Sequence, residues 1–282
     1  MRGYFYGYYY KCQSDTQTLA LIAATHGDGK TRTCSVQVIT EAGAWVAEFS
    51  KEVYAQKGSV IKIGANRFSR RGVKVDINTQ DLCIKGQIQF GPNLPLKYDI
   101  MGPFALVPFM ECRHMVGSME HTVNGRLTVN GVEYIFENDR GYWEGDKGRS
   151  FPKEYLWTQS FLKNSGSLML SVADIPFPGF RFTGVIGVVL WEGKEYRFAT
   201  YLGAKVKQIE RGSAYIEQGN MGLKVSLLEA AGKALRAPSG GNMVRTIHES
   251  ATCKASYKLT VGERTVFDIV THKATFEYEY PQ

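Results

Sequence analysis

Long hydrophobic runs are missing from this sequence. The longest purely aliphatic stretch, residues 185–190 around Gly187, is too short for a bilayer, which takes about 20 residues of helix to cross. The opening MRGYFYGYYYKCQ is rich in tyrosine and has no apolar stretch of about 7–15 residues like that of a secretion signal. We therefore expect a protein that is not secreted and has no transmembrane segment, with peripheral membrane contact left open.

Paired cysteines are missing as well. The five cysteines are far apart and include no C-x-x-C pair, which excludes a disulfide framework and a zinc knuckle. Isolated thiols fit a reducing compartment, so we expect a cytoplasmic location. The cysteines are Cys12, Cys34, Cys83, Cys112 and Cys253.

No block of one charge sign is present. Lys and Arg number 34 against 27 Asp and Glu, a net charge of +7, and the positive residues are scattered along the chain. The one dense cluster, residues 67–74 with three arginines and a lysine beside Phe68, is predicted to be a solvated loop and strand edge. This is a poor pattern for nucleic-acid binding, and we expect no nucleic-acid partner.

Helical signals are scarce. Residues 227–235 have helical propensity, but Gly232 interrupts them and Pro238 follows, so they predict one turn of helix at most. The chain of 282 residues, 44% apolar and 22% charged, is long enough for one large β domain or two smaller ones. We expect an all-β barrel or pair of curved sheets.

What the sequence does have is a period of two. Residues 256–261 and 276–280 alternate polar with apolar side chains, which is typical of antiparallel strands with one buried face. Hairpin turns are expected at Asn124-Gly125, Asn130-Gly131 and Glu192-Gly193. Prolines concentrate between residues 91 and 110, where a structured crossover is expected. Further strands are predicted at 33–40, 73–77, 82–90, 132–136, 156–161, 167–173, 182–191, 194–201, 204–211, 213–218 and 223–228.

Common catalytic and metal motifs do not fit. Residues 25–31 end in Gly-Lys-Thr but lack the first glycine of a phosphate-binding loop, so they predict a hairpin turn. No G-x-S-x-G motif is present. Potential metal ligands at residues 111–114 and 120–121 match no standard zinc spacing, and we expect His114 and His121 to be hydrogen-bonded structure or pocket lining, with no metal.

The most unusual stretch runs from residue 141 to 159. It contains two tryptophans, several glycines and the closely spaced carboxylates of Glu144 and Asp146. In an extended chain, alternation would place Glu144 and Asp146 on one face with Tyr142 beside them. Composition alone favours another interpretation, a glycine-rich loop whose aromatic residues cap a barrel end and whose acids pair with Lys147 and Arg149.

This stretch resembles the tocopherol cyclase family. The match includes Gly-Tyr-Trp-Glu at 141–144, Asp-x-Gly at 146–148, Ser-Phe-Pro at 150–152 and Trp-x-Gln at 157–159. It continues through 167–173 and 196–201, with further pieces at 110–114, 119–121, 237–238 and 249–250, and covers roughly residues 100–250. Two positions differ: Lys147 stands where the family has Trp, and Phe161 where it has Asn.

The resemblance implies two consecutive lipocalin-like antiparallel β-barrels or curved sheets, the architecture of a group that also includes carotenoid hydratases. Given the crossover, we expect an N-terminal domain of residues 1–110 and a C-terminal domain of 111–282, with the boundary roughly between 100 and 140.

The resemblance also implies acid-initiated cyclisation or hydration of a prenyl double bond. Such chemistry needs a carboxylic acid that stays protonated near neutral pH, which an apolar pocket achieves by raising its pKa. Asp146 is the expected acid and Glu144 the second candidate. No cofactor is implied. The expected substrate-binding residues are Tyr142, Trp143, Trp157, Gln159, His114 and His121, the aromatic ones stabilising a carbocation.

Another class of function fits the same fold. A closed barrel with an apolar interior can hold a prenylated phenol or quinol, a terpenoid or a fatty acid without transforming it. A carrier has no need of acids in its cavity, so the two carboxylates favour an enzyme. Solvent-facing carboxylates would favour the carrier, and a non-catalytic scaffold is a third possibility.

Overall fold

The computed structural model describes residues 3–28, 30–108, 110–163, 166–177, 179–229 and 233–281, and most of these are in strands. Helix makes up 4% and consists of the 3-10 helices Lys51–Val53, Gly102–Leu106 and Thr200–Leu202. No helix in these segments has the length and apolar character needed to cross a membrane. The strands are β1 Tyr4–Gln13, β2 Thr18–Gly27, β3 Arg32–Thr40, β4 Ala44–Ser50, β5 Tyr54–Lys57, β6 Val60–Ile63, β7 Asn66–Ser69, β8 Gly72–Asn78, β9 Cys83–Phe90, β10 Cys112–Val129, β11 Val132–Gly148, β12 Tyr155–Leu162, β13 Gly166–Phe177, β14 Phe180–Trp191, β15 Lys194–Ala199, β16 Lys205–Glu210, β17 Ser213–Gln218, β18 Met221–Glu229, β19 Lys233–Ser239, β20 Asn242–Val261 and β21 Arg264–Tyr278.

The strands form two antiparallel sheets. Sheet A has the order β4-β3-β2-β1-β11-β10-β9-β8-β7-β6-β5 and makes a nearly closed barrel. Sheet B has the order β15-β14-β13-β12-β21-β20-β18-β17-β16, with β19 paired to β20, and makes a half-barrel. The expected all-β, two-barrel lipocalin-like architecture is therefore confirmed.

The chain divides by compactness into two units. The first comprises Met1–Asp99, Glu111–Phe151 and Leu235–Thr246, and the second comprises Ile100–Met110, Pro152–Ala234 and Ile247–Gln282. The units follow compactness and not chain order, and the domain limits 1–110 and 111–282 stay a prediction.

Each sheet surrounds its own apolar core. The core of sheet A is rich in aromatic rings, including Tyr8, Tyr10 and Trp143, which contact one another. The core of sheet B is mainly aliphatic, with Phe198 and Tyr257 among its largest side chains. In the central strands of both sheets, successive side chains point alternately to the core and to the opposite face of the sheet, called here the outer face.

Two of the expected hairpin turns are present. Asn130-Gly131 joins β10 to β11 with φ angles of 48° and 85°, and Glu192-Gly193 joins β14 to β15 with 49° and 74°. Positive φ at both central residues is the geometry that a two-residue hairpin needs. The stretch 227–235 is extended at both ends, in β18 and β19, and the rest of the expected helical turn, residues 230–232, lies outside the described residues.

The turn expected at Asn124-Gly125 is wrong. These residues lie within β10 at a bulge, opposite Glu137 and Phe136 of β11. Gly125 has φ 134°, and a Cβ at this position would lie 2.4 Å from the Gln87 carbonyl oxygen of β9. The Asn-Gly signal here marks a bulge and a close strand approach.

The loop that composition favours at residues 141–148 is also wrong, because this stretch is the second half of β11. Its glycines make room for rings on the core face. A Cβ at Gly141 would lie 2.4 Å from the His121 ring, and one at Gly145 would lie 2.5 Å from the Tyr8 ring. Glycine here serves side-chain packing within a strand and not a turn.

Candidate functional site

The two faces of β11 separate the residues that the sequence singles out. Trp143 points into the aromatic core of sheet A, 5.3 Å from the Tyr8 ring and 6.1 Å from the Tyr10 ring. Tyr142, Glu144 and Asp146 alternate with it and therefore lie on the outer face. Alternation predicts that these three residues share a face, and the structure places them so.

His114 lies between the two carboxylates. It is paired in register with Asp146, because β10 and β11 run antiparallel at this point. Its Nδ1 atom is 2.9 Å from Asp146 Oδ1, and its Nε2 atom is 3.2 Å from Glu144 Oε2. One imidazole ring thus faces a carboxylate with each of its nitrogens.

The contacts extend at both ends. The Tyr142 hydroxyl donates a short hydrogen bond to Glu144 Oε2, and the Cys112 thiol donates to Asp146 Oδ1 at 3.3 Å. The result is a continuous chain of polar groups, called here the acid cluster. Its order is Tyr142, Glu144, His114, Asp146 and Cys112.

The acid cluster becomes more exposed from one end to the other. Tyr142 has no exposed surface, whereas the side chains of Glu144, His114 and Asp146 are 6%, 10% and 21% exposed. The acids that were expected to pair with Lys147 and Arg149 are instead in contact with His114. Neither carboxylate points freely to solvent, which was the condition that would have favoured a carrier.

Burial and charge shift the pKa of several members. Burial raises the pKa of Glu144 above its usual 4.5, and Asp146 raises it further, against the opposing effects of His114 and Tyr142. Burial lowers the pKa of His114, but the Glu144 and Asp146 carboxylates together raise it well above its usual 6.5. Burial and neighbouring carboxylates also raise the pKa of the Cys112 thiol and the Tyr142 phenol. Glu144, His114, Cys112 and Tyr142 therefore keep their protons to higher pH than the same groups would in water.

His121 lies apart from the acid cluster, on the core face. Its ring is 4.6 Å from the Phe90 ring, and its Nδ1 atom is 3.1 Å from the Ser118 hydroxyl oxygen. Burial lowers its pKa to about 4, so the ring is neutral near pH 7. The two histidines that the sequence groups together thus lie on opposite faces with opposite pKa shifts.

Trp157 and Gln159 belong to the second unit. They lie on β12, on the outer face of sheet B, directly opposite Glu277 and Thr275 of β21. The Tyr155 hydroxyl donates a short hydrogen bond to Glu277 Oε2. The sequence does not single out Glu277 and Tyr155, because the alternation around residue 277 predicts a wet strand face.

The acid cluster is also a candidate metal site. In the described part of the chain, His114, Glu144 and Asp146 form the one group of three side chains whose potential ligand atoms all lie within 4.8 Å of one another. To bind an ion, His114 would have to release one of the carboxylates that its nitrogens face. His114 Nδ1 is hydrogen-bonded to Asp146, whereas Nε2 is at ion-pair distance from Glu144 without a hydrogen bond. The geometry matches an ion-pair network more closely than a set of ligands directed at one point.

Comparisons with known proteins bear on the fold. No family model and no curated protein matches the sequence. Solved structures do match over nearly the whole chain. A candidate AttH protein from Nitrosomonas europaea has a TM-score of 0.58 at 10% identity, covering 100% of this chain and 93% of its own.

Two further structures are similar to the same degree. Kievitone hydratase from Nectria haematococca has a TM-score of 0.57 at 10% identity, covering 98% of this chain and 89% of its own. CghA, solved with Sch210972, has a TM-score of 0.60 at 9% identity, covering 98% and 88%. These structures share the lipocalin-like two-barrel fold, and at such identities the likeness concerns the fold alone.

Proposed function

We propose that this protein is an acid–base enzyme that adds an O–H group across a carbon–carbon double bond of a hydrophobic small molecule, by cyclisation or hydration. The observation that carries the proposal is a buried His114 held between Glu144 and Asp146. A buried group with a raised pKa, coupled to a specific partner, is a common feature of catalytic acids.

Glu144 is the proton donor in this proposal. Sequence resemblance favours Asp146 for that role, but Glu144 is the more buried of the two, and burial raises its pKa. Asp146 is more exposed and contacts His114, so it is suited to exchange protons between His114 and solvent. His114 then connects the two carboxylates.

The proposed reaction balances in protons. The Glu144 carboxyl adds its proton to one alkene carbon, and the C=C π electrons form that C–H bond. The oxygen of a phenol or water then bonds to the other carbon and releases its proton, which returns to the acid cluster through Asp146. No electron is gained or lost overall, so the residues alone can complete the cycle.

The sheet surface beside Asp146 carries small side chains. On the outer face, Asp146 is paired with Gly7 of β1. Gly7 is paired with Ala24 of β2, and Ala24 with Ser35 of β3. Their side chains are small, so little projects from the sheet surface next to the Asp146 carboxylate. A flat, apolar molecule could lie against this strip with a double bond near the acid cluster.

The neighbouring structures support the proposal in one respect. One of them is named as a hydratase, so the same fold is associated with addition of water in another protein. An isoprenoid or polycyclic substrate is the class that the tocopherol cyclase resemblance implies. A cytoplasmic location and peripheral membrane contact also stay predictions.

The first experiment is to identify what the purified protein binds. Native mass spectrometry, followed by organic extraction, would reveal a prenyl quinol, terpenoid or fatty acid retained from the host. Turnover of the identified compound is then measured for wild type, Glu144→Gln and Asp146→Asn. Glu120→Gln is a matched control, because Glu120 pairs with Arg140 in the same unit outside the acid cluster.

The enzyme proposal expects turnover in wild type and Glu120→Gln, and a large loss in Glu144→Gln. A bound lipid that is never transformed by wild type would contradict it and favour the carrier. Undiminished turnover in Glu144→Gln would remove Glu144 from the mechanism.

A further inference from the structure

Strand β10 is irregular next to the acid cluster. It has four residues between Val116 and His121, whereas β11 has only two between their partners Glu144 and Gly141. β10 therefore holds two extra residues in the segment 117–120, called here the β10 bulge. Bulges are frequent next to active sites, where the extra residues change the direction or the position of a side chain.

The two extra residues determine which side chain of β10 meets the carboxylates. The register that holds for residues 121–123, continued regularly, would pair Val116 with Asp146. His114 would then lie opposite Gly148, beyond both carboxylates. A shift of two residues moves a side chain by about 7 Å along the strand and keeps it on the same face. The bulge thus places an imidazole on the outer face where a regular strand would place a valine.

Ser118 holds the β10 bulge in place. It is fully buried, and its hydroxyl donates to the Glu120 carbonyl oxygen at 2.8 Å and accepts from the Leu94 N–H at 3.0 Å. The His121 Nδ1 atom lies 3.1 Å from the same hydroxyl oxygen. Backbone hydrogen bonds join Leu94 to Met119 and to Glu120. One buried hydroxyl therefore connects the bulge to the segment that follows β9.

Gly117 fits the β10 bulge against the core face of β11. A Cβ at Gly117 would lie 2.2 Å from the Trp143 ring, so one of the two would have to move. The Trp143 ring is itself packed against the rings of Tyr8 and Tyr10. Trp143 directly precedes Glu144 in the chain. The missing side chain at position 117 therefore lets the bulge pack on the residue next to the proposed acid.

We propose that the β10 bulge positions His114 for its contacts with both carboxylates. Ser118 and Gly117 are the positioning residues: the first holds the bulge, and the second fits it to β11. The register and the contacts carry this inference, and its importance for turnover rests on the proposed function.

The test is an NMR titration of the His114 ring in full-length wild type, Ser118→Ala and Gly117→Ala. Neighbouring opposite charges shift a pKa by about 1–3. If the contacts with the carboxylates are lost, the pKa of His114 should fall by at least about 1 in both variants. The double variant Gly117→Ala/Trp143→Phe removes the ring atoms that the new methyl group would meet, and it should restore the wild-type titration.

Asn124→Ala is the matched control. Asn124 lies at another bulge of β10, where its Oδ1 atom accepts a hydrogen bond from the Asn138 N–H at 2.8 Å. The variant should lower the unfolding free energy in urea and leave the His114 titration as in wild type. Urea unfolding of every variant verifies that it is folded.

Two outcomes would overturn the inference. One is a folded Ser118→Ala variant that keeps the wild-type titration of His114, and this variant decides the matter if Gly117→Ala does not fold. The other is an equal fall of the pKa of His114 in Asn124→Ala, because the effect would then follow a general loosening of the sheet. Failure of the proposed function has a different signature, since Glu144→Gln would then turn over substrate normally whatever His114 shows.

Discussion

The two units contain the same phenol–carboxylate pair in different surroundings. Tyr142 donates to Glu144 in the first unit, and Tyr155 donates to Glu277 in the second. The first pair continues into an imidazole and a second carboxylate, whereas the second pair is bordered by an indole and an amide. The comparison teaches that the carboxylate alone does not define the chemistry. The groups around each carboxylate, and not the phenol bond alone, set what that carboxylate can do.

The largest expected difference is in turnover. Glu144→Gln removes the proposed donor, and the rate constant kcat should fall by about 10²–10⁴-fold, the usual contribution of general acid catalysis. Glu277→Gln should instead leave kcat within a few fold, because Glu277 belongs to the second unit and lies outside the acid cluster. Steady-state kinetics on the extracted substrate measures both. Equal losses of kcat in the two variants would break the distinction between the pairs.

Removal of His114 should have the largest effect on stability. His114→Gln leaves the Asp146 carboxylate without its charged partner and Glu144 without the imidazole that it faces, and breaking a buried ion pair costs about 3–5 kcal/mol. Urea unfolding near neutral pH measures the change in unfolding free energy. Glu120→Gln, whose partner Arg140 is 29% exposed, should cost much less. Equal costs would mean that the imidazole is not charged.

The next largest expected difference between the two phenol–carboxylate pairs is in how the unfolding free energy depends on pH. The folded-state pKa of Glu144 and of His114 is raised above 4.5 and 6.5, so folding retains protons that the unfolded chain releases. Their contribution is full below these values and is lost as the pH rises through the raised folded pKa. Wild type and Glu277→Gln should therefore lose stability progressively above pH 6.5.

Glu144→Gln should show a flatter profile over the same range. It removes one titrating carboxyl and one of the two carboxylates that raise the pKa of His114. Urea unfolding in buffers of increasing pH provides the comparison. A Glu144→Gln profile as steep as that of wild type would place the linked protons elsewhere in the molecule.

Tyr142→Phe and Tyr155→Phe should have similar effects on the unfolding free energy and different effects on the pKa of Glu144. Each donates to a buried carboxylate, so Tyr142→Phe and Tyr155→Phe should each cost about 1.5–3 kcal/mol in urea unfolding. The hydrogen bond from Tyr142 lowers the pKa of Glu144, so Tyr142→Phe should shift the pH–rate profile to higher pH. Tyr155→Phe should leave that profile in place, and a shift of equal size would contradict the separation of roles.

Much of the fold could be predicted from the sequence, because a strand with one wet face alternates visibly. The strands predicted at 73–77 and 82–90 correspond to β8 and β9, in which buried and exposed residues alternate. Strand β2 is implied only as the strand before the hairpin expected at 25–31, and its extent is not predicted, since nearly every residue in it is buried on both faces and the period of two disappears. The glycines of β11 suggested a loop because a sequence does not show which rings they must accommodate.

The candidate site was predictable only along one strand. Alternation places Tyr142, Glu144 and Asp146 together without any knowledge of the fold. The contact of His114 with both carboxylates depends on the register between β10 and β11, which includes shifts near Ser118 that local sequence does not reveal. Glu277 was missed for a related reason, since burial of an outer face depends on the whole fold and not on the strand.

The smallest expected effect sharpens the contrast between the faces of sheet A. His121 on the core face has a pKa lowered to about 4 by burial, and His114 on the outer face has one raised well above 6.5. NMR titration of the ring carbons, with His114→Gln and His121→Gln to assign signals, should show His121 neutral and His114 charged at pH 6.5. The stability contribution of His121 is present above its usual 6.5 and is lost as the pH falls through about 4. A His121 signal that titrates at its usual 6.5 would mean that water reaches the ring, and the core face of sheet A would then be open to a polar ligand.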